Sequence, residues 1–154
     1  MKKLFDFLHS LRKWYWRTFQ IETRGARVII KKDTQVFLVK HRYGYLWVLP
    51  GGGMKKGEAP EETARRETKE EVNIEIKSFE KVLGTYSNTQ GGKNDTVTVL
   101  VANEWEDLGR KFSIEIESSG FFNINNLPDK TSQATKRRIA EYFSREKRQV
   151  GGSW

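Results

Sequence analysis

The chain opens on a helical period. Leu4, Leu8, Leu11 and Tyr15 recur three or four residues apart, joined by Phe5, Phe7 and Trp14, while Lys2, Lys3, Arg12, Lys13 and Arg17 take polar positions. This predicts an amphipathic helix from Met1 to about Gln20. Three destinations suit it: packing on the body of the domain or on a partner subunit, peripheral membrane contact through its basic aromatic surface, or a flexible arm. Asp6 and His9 interrupt the apolar stretch and no small-residue cleavage pattern follows, so it does not read as a signal peptide.

From Gly25 the pattern shortens to strands. Val28–Ile30 and Val36–Val39 are β-branched or apolar runs on either side of a hairpin-like turn, Lys31–Gln35. Trp47-Val48-Leu49 runs into Pro50-Gly51-Gly52-Gly53, which is expected to break any regular element. Pro60 opens a second helix, with Glu61 and Glu62 facing its N-terminal dipole, and that helix runs to about Val72. Val82–Tyr86 and Thr96–Ala102 read as strands around a loop, Ser87–Asn94. Ile114/Ile116 and Phe121-Phe122 suggest further short strands, and Leu127-Pro128-Asp129 a turn. A last helix spans about Ser132 to Lys147, with Ile139, Tyr142 and Phe143 as its apolar stripe. Neither a repeat nor a linker interrupts this order. The expected organisation is an appended helix over 1–20, one domain over 21–150 and a flexible tail over 151–154.

Composition acts mainly by exclusion. A chain of 154 residues suits one domain with a sizeable core. It has no cysteine and two histidines, which removes disulfides, thiol catalysis, Cys-ligated zinc and most His-based triads. No apolar run approaches the roughly 20 residues of a membrane span, and the expected location is cytoplasmic. The chemistry must therefore rest on carboxylates, Lys/Arg, hydroxyls or backbone groups. The net charge is +8, yet residues 51–80 hold eight glutamates against six Lys/Arg. An acidic cluster in a basic chain suits a cation site whose surroundings attract an anionic substrate, and it equally suits a plain charged helix face.

Within that segment Glu67, Glu70 and Glu71 stand at i, i+3 and i+4, on one face of the predicted helix. Like charges so placed repel, and a hard cation such as Mg²⁺ or Mn²⁺ would relieve them. A solvated face with Arg66–Glu70 as an i,i+4 pair is the alternative.

The wider spacing is more specific. Gly52 is followed after five residues by Glu58, and after seven more by Arg66-Glu67, then Thr68, Lys69, Glu70-Glu71, Val72, Asn73 and Ile74. This closely resembles the Nudix box, the 23-residue signature of Nudix hydrolases. Thr68 departs from the usual aliphatic residue, and Asn73 replaces the closing glycine. Asn is the non-glycine residue best suited to the left-handed conformation wanted there.

The resemblance implies an α/β/α sandwich with a mixed β-sheet and a catalytic loop–helix–loop. It implies a Mg²⁺- or Mn²⁺-dependent hydrolase of a diphosphate linked to another moiety X, with Gly52, Glu67, Glu70 and Glu71 as the metal ligands. Arg66 and Glu58 would orient that set, with Glu58 a possible accessory ligand. Gly51–Gly53 would let backbone groups approach metal and phosphates. The general base would be Glu67 or an acid outside the box among Glu106, Asp107, Glu115 and Glu117, with Glu117 favoured; Glu67, Glu70, Arg66 and Glu117 form the expected catalytic set. Substrate contacts are expected from Arg42, Trp47, Gly52, Gly53 and Tyr86, with Tyr43 and Tyr45 as further stacking aromatics. The expected partner is a small-molecule nucleotide, most readily a nucleoside triphosphate or nucleotide sugar, bound by a monomer or homodimer. An RNA 5′ end is the alternative substrate. A non-catalytic RNA- or membrane-binding module is the rival class, supported by the basic ends and Lys136-Arg137-Arg138.

Overall fold

The computed structural model describes residues 23–88, 95–144 and 152–153. The helix predicted over 1–20, and with it the membrane-contact and docking expectations, lies outside the described residues. Along the chain run β1 (Arg24–Ile29), β2 (Lys31–Lys32), β3 (Gln35–His41), β4 (Trp47–Val48), β5 (Gly51–Gly53), α1 (Pro60–Val72), β6 (Ile74–Asn88), β7 (Asp95–Asp107), β8 (Ile116–Asn123), α2 (Gln133–Phe143) and β9 (Gly152–Ser153).

The strands divide between two sheets. One is mixed, in the order β5-β1-β7-β6-β9, with β1 parallel to β7 and β6 antiparallel to it. The other is antiparallel around β3, which pairs with β2, β4 and β8. Alternation along the central strands splits the core into two layers. Ala26, Val28, Phe37, Val39, Leu100 and Ala102 pack with Ala64 of α1. Their neighbours Ile29, Val36, Leu38, Val99 and Val101 pack with Ile139 and Tyr142 of α2. The helices thus cover opposite faces, and the expected α/β/α sandwich is present.

Several local expectations need correction. Lys31 and Lys32 belong to a strand, and only residues 33–34 turn. The glycines 51–53 do not end regular structure. They form β5, antiparallel to Gly25–Arg27 of β1. The strand predicted from Val82 begins at Ile74, because Glu75 and Lys77 alternate with the buried Ile74 and Ile76 on a half-exposed sheet. Ile114 lies outside β8 and is exposed. Helix α2 closes at Phe143 with Ser144 as its C-cap. Gly152–Ser153 of the supposed free tail pair in parallel with Tyr86–Ser87.

Helix α1 has the predicted limits. Ala59 supplies no capping side chain, but Glu62 reaches back to accept its N–H at 2.8 Å, and Pro60 stands at the first helical position, where a donor is not needed. Asn73 closes the helix with φ 56° and ψ 35°, the left-handed cap. Its side chain donates to Gly109 O and its carbonyl accepts Leu108 N–H, so the helix end is tied to the β7–β8 loop. Thr68 is buried and returns its hydroxyl to Ala64 O at 2.9 Å, which satisfies the polar atom on the packed face.

Candidate active site

Helix α1 lies directly against β5, the glycine strand at the edge beside β1. Gly51 adopts φ +134°, and a Cβ there would lie 2.1 Å from Ala26 O, so only glycine fits. At Gly52 the obstacle is different. A Cβ would come within 2.5 Å of the Glu67 carboxyl carbon, which means that Glu67 rests on the bare face of this glycine. Glu71 lies deeper, 5% exposed, and its Oε2 accepts the Gly51 N–H at 3.0 Å. Glu70, one residue before it, has a side chain 58% exposed.

Arg66 links these groups. Its Nη1 donates to Glu67 Oε1 at 2.6 Å and reaches Glu70 Oε2 at 3.3 Å, and its Nη2 donates to Gly53 O at 3.0 Å. Its other bonds go to Glu58, which also accepts the Lys55 N–H and the Thr63 hydroxyl, each at 2.8 Å. These donors, Arg66 foremost, lower the Glu58 pKa to about 2, and the same bonds raise that of Arg66. Burial acts oppositely on the deeper acids. It raises Glu67 against the opposing pull of Arg66, and lifts Glu71 to about 8 against the opposing charge of Arg27 and the Gly51 N–H.

Two residues outside the box contribute to this site and were not singled out in the sequence. Arg27 on β1 donates from Nη1 to Leu49 O at 3.0 Å and to Gly51 O at 2.6 Å, bracing the start of β5 while its charge reaches Glu67 and Glu71. His41, at the end of β3, brings Nε2 to 3.5 Å from Glu71 Oε1. Polar residues ending or interrupting buried strands were the available signal. Their convergence depends on strand register.

Other expected residues are placed differently. Glu117 falls at a bulge in the β3–β8 ladder and pairs with Lys40 at 3.0 Å, while Glu115 is the outside acid whose charge reaches Glu71. Glu106 pairs with Lys77, and Asp107 accepts Gly109 N–H. Arg42 is exposed, and its backbone N–H donates to Glu115 O at 2.8 Å. Tyr86, expected at the substrate, is instead wholly buried in the α2-side core, bonded to Glu141, with Arg138 stacked 3.8 Å from its ring centroid. Trp47 packs edge-on against Phe122 in the same layer, away from α1.

Among the described residues, no three His, Asp or Glu side chains are gathered closely enough to hold a metal ion as they stand. In this arrangement the Arg66 guanidinium bridges Glu67 and Glu70. The donor chemistry nevertheless fits a hard cation, with three carboxylates on one helix face beside bare glycine backbone. Glu70 has the exposure to turn toward the other two.

Comparison with known proteins agrees with this geometry. A family model described as the NUDIX domain matches residues 22–143. Diphosphoinositol polyphosphate phosphohydrolase 3-alpha of Mus musculus is 36% identical over 132 residues, covering 80% of this chain and 74% of that protein. An ADP-ribose pyrophosphatase of Methanocaldococcus jannaschii is 30% identical over 104 residues, covering 65% of this chain and 61% of the relative. Among solved structures, a MutT NUDIX hydrolase from Burkholderia pseudomallei shares the fold with a TM-score of 0.66 at 23% identity, over 76% of this chain and 95% of that one. With the box residues assembled on one helix, the loop before it and one glycine strand, and a family match across nearly the whole described domain, the chain belongs to the Nudix family and is a Nudix hydrolase.

Proposed function

We propose that this hydrolase cleaves a diphosphate bond in a nucleoside diphosphate linked to X, with Mg²⁺ or Mn²⁺ held by Glu67, Glu70, Glu71 and the backbone of Gly52. The observation that carries the reading is the convergence of Glu67 and Glu71 on consecutive glycines, the first resting on Gly52 and the second bonded to Gly51. A bound divalent ion would neutralise phosphate oxygens and acidify a water for attack at phosphorus. The chain itself supplies the proton acceptor. Glu67, raised by burial, suits that task, and Glu115, whose charge reaches Glu71, is the acid outside the box.

The surroundings support a base-bearing substrate. Tyr43, Tyr45 and Leu46 on one loop, and Leu108, Phe112 and Ile114 on another, are large apolar side chains left exposed. The two loops meet where Arg42 N–H donates to Glu115 O, and the second is tied to the end of α1 through Asn73. On this reading a planar base would stack on these exposed rings while Arg42, Arg110 and Lys111 attract phosphates. A second reading rests on the relatives named for diphosphoinositol polyphosphates, whose substrate would use the cations and leave the rings unengaged.

Product analysis over a panel of nucleoside triphosphates, nucleotide sugars, triphosphorylated RNA ends and diphosphoinositol polyphosphates, with Mg²⁺ or Mn²⁺, separates these. The expected result is preferred turnover of a nucleotide, lowered by at least two orders of magnitude in Glu71→Gln with the fold intact. Turnover of the inositol compound alone would establish the second reading. Wild-type rates in Glu71→Gln would remove the metal assignment.

A further inference from the structure

Glu71 is held from the sheet as well as by its own helix. The Gly51 N–H takes Oε2 at 3.0 Å, and the His41 imidazole lies 3.5 Å from Oε1. Both side chains are withdrawn from solvent, at 11% exposure for His41 and 4% for Glu71. The fold explains how His41 comes to be there. Phe37 and Val39 of β3 point into the core layer beneath α1, and two residues further along the same alternation falls His41. At this point the partner strand bulges: Lys40 faces Ser118 while His41 faces Ile116, so β8 absorbs the irregularity and β3 keeps its direction. The last side chain of β3 on the α1 side is therefore an imidazole, set against the most buried carboxylate of the box.

We infer that His41 is a positioning residue for Glu71. With one carboxylate oxygen bonded to the Gly51 amide and the imidazole 3.5 Å from the other, the sheet limits the orientations open to Glu71. A flexible side chain is thus ordered before a cation arrives. Gly51 is itself immobilised, since Arg27 donates to its carbonyl, so the sheet sets the carboxylate from both sides. Groups that orient a ligand in this way change metal affinity by roughly 10–100-fold when removed. The inference rests on the proposed metal role of Glu71 and goes beyond it, because His41 lies outside the box.

The test is Mn²⁺ titration of the whole protein at one fixed pH, reading free Mn²⁺ by electron paramagnetic resonance, for wild type, His41→Gln, His41→Asn, His41→Leu, Glu71→Gln and the double variant His41→Leu/Glu71→Gln. We expect His41→Leu to weaken binding by about 10–100-fold. Gln places an amide nitrogen near the position of Nε2 and should recover most of the affinity, whereas the shorter Asn should not. In the Glu71→Gln background, His41→Leu should add nothing. Should His41→Leu not fold, the Gln and Asn variants carry the same comparison, with thermal melts reporting their stability. Equal Mn²⁺ affinity in wild type, Gln and Asn variants would overturn the inference, as would additive losses in the double variant. Unchanged binding in Glu71→Gln would instead overturn the metal reading beneath it.

Discussion

Arg66 meets Glu58 through two parallel hydrogen bonds, Nε to Oε1 at 2.7 Å and Nη2 to Oε2 at 2.9 Å. This pair fastens the loop before α1 to the middle of the helix, and the same guanidinium then reaches the Gly53 carbonyl and two further glutamates. The site is organised around this one cation.

Acid should therefore loosen the fold. The folded pKa of Glu58, about 2, lies below its ordinary value of 4.5, so its stabilisation is fully present above pH 4.5 and lost as pH falls through about 2. Glu58→Gln should cost about 1–2 kcal/mol at pH 7 in urea unfolding. The gap from wild type should close progressively below pH 4.5, and a gap unchanged down to pH 2.5 would contradict the assignment.

Neighbouring glycines should fail in different ways. Gly51→Ala places a Cβ against backbone at a left-handed φ, and is expected to destabilise by about 3 kcal/mol or more. Gly52→Ala meets only the end of the Glu67 side chain, which can swing aside. That variant should melt close to wild type yet lose turnover by about two orders of magnitude. Calorimetry beside an activity assay distinguishes the two, and an active, stable Gly51→Ala would refute the geometry.

At the end of α1, Asn73→Ala should cost about 1 kcal/mol, because alanine pays for φ 56° and loses the bond to Gly109 O. Asn73→Gly should cost less, since only the side-chain bond is lost. Equal losses would show that the left-handed cap contributes nothing.

Tyr86→Phe tests the placement of that ring. Removing its bond to Glu141, 2.9 Å long, should lower stability by about 1–2 kcal/mol. Turnover and KM should stay within twofold of wild type, because the ring belongs to the α2-side core. A selective rise in KM would return Tyr86 to the substrate site.

Much of the chemistry was legible in the chain because it is local. Pro60, the glutamates at i, i+3 and i+4, and Asn73 act within one helix, where spacing alone places side chains on a face. The expected limits Pro60–Val72 match, and so does the left-handed cap. The sandwich of alternating strands and two covering helices follows from the same short periods.

What the sequence could not decide depends on which strand lies beside which. Gly51–Gly53 have no strand-forming tendency and become β5 by pairing with β1, whose backbone comes so close that Gly51 can carry no Cβ. Tyr86 and Trp47 were indistinguishable from substrate-stacking rings until the alternation of their strands turned both toward α2. Glu115 and Glu117 differ by two residues, and a bulge in one ladder assigns one to Lys40 while the charge of the other reaches Glu71. Arg27 and His41 gain their roles from residues 24 and 30 positions away, across register that no local period encodes. The sequence by itself determined the carboxylates and the helix that carries them. The tertiary structure alone decided how deep each one lies and what holds it, because burial and hydrogen-bond partners come from distant strands.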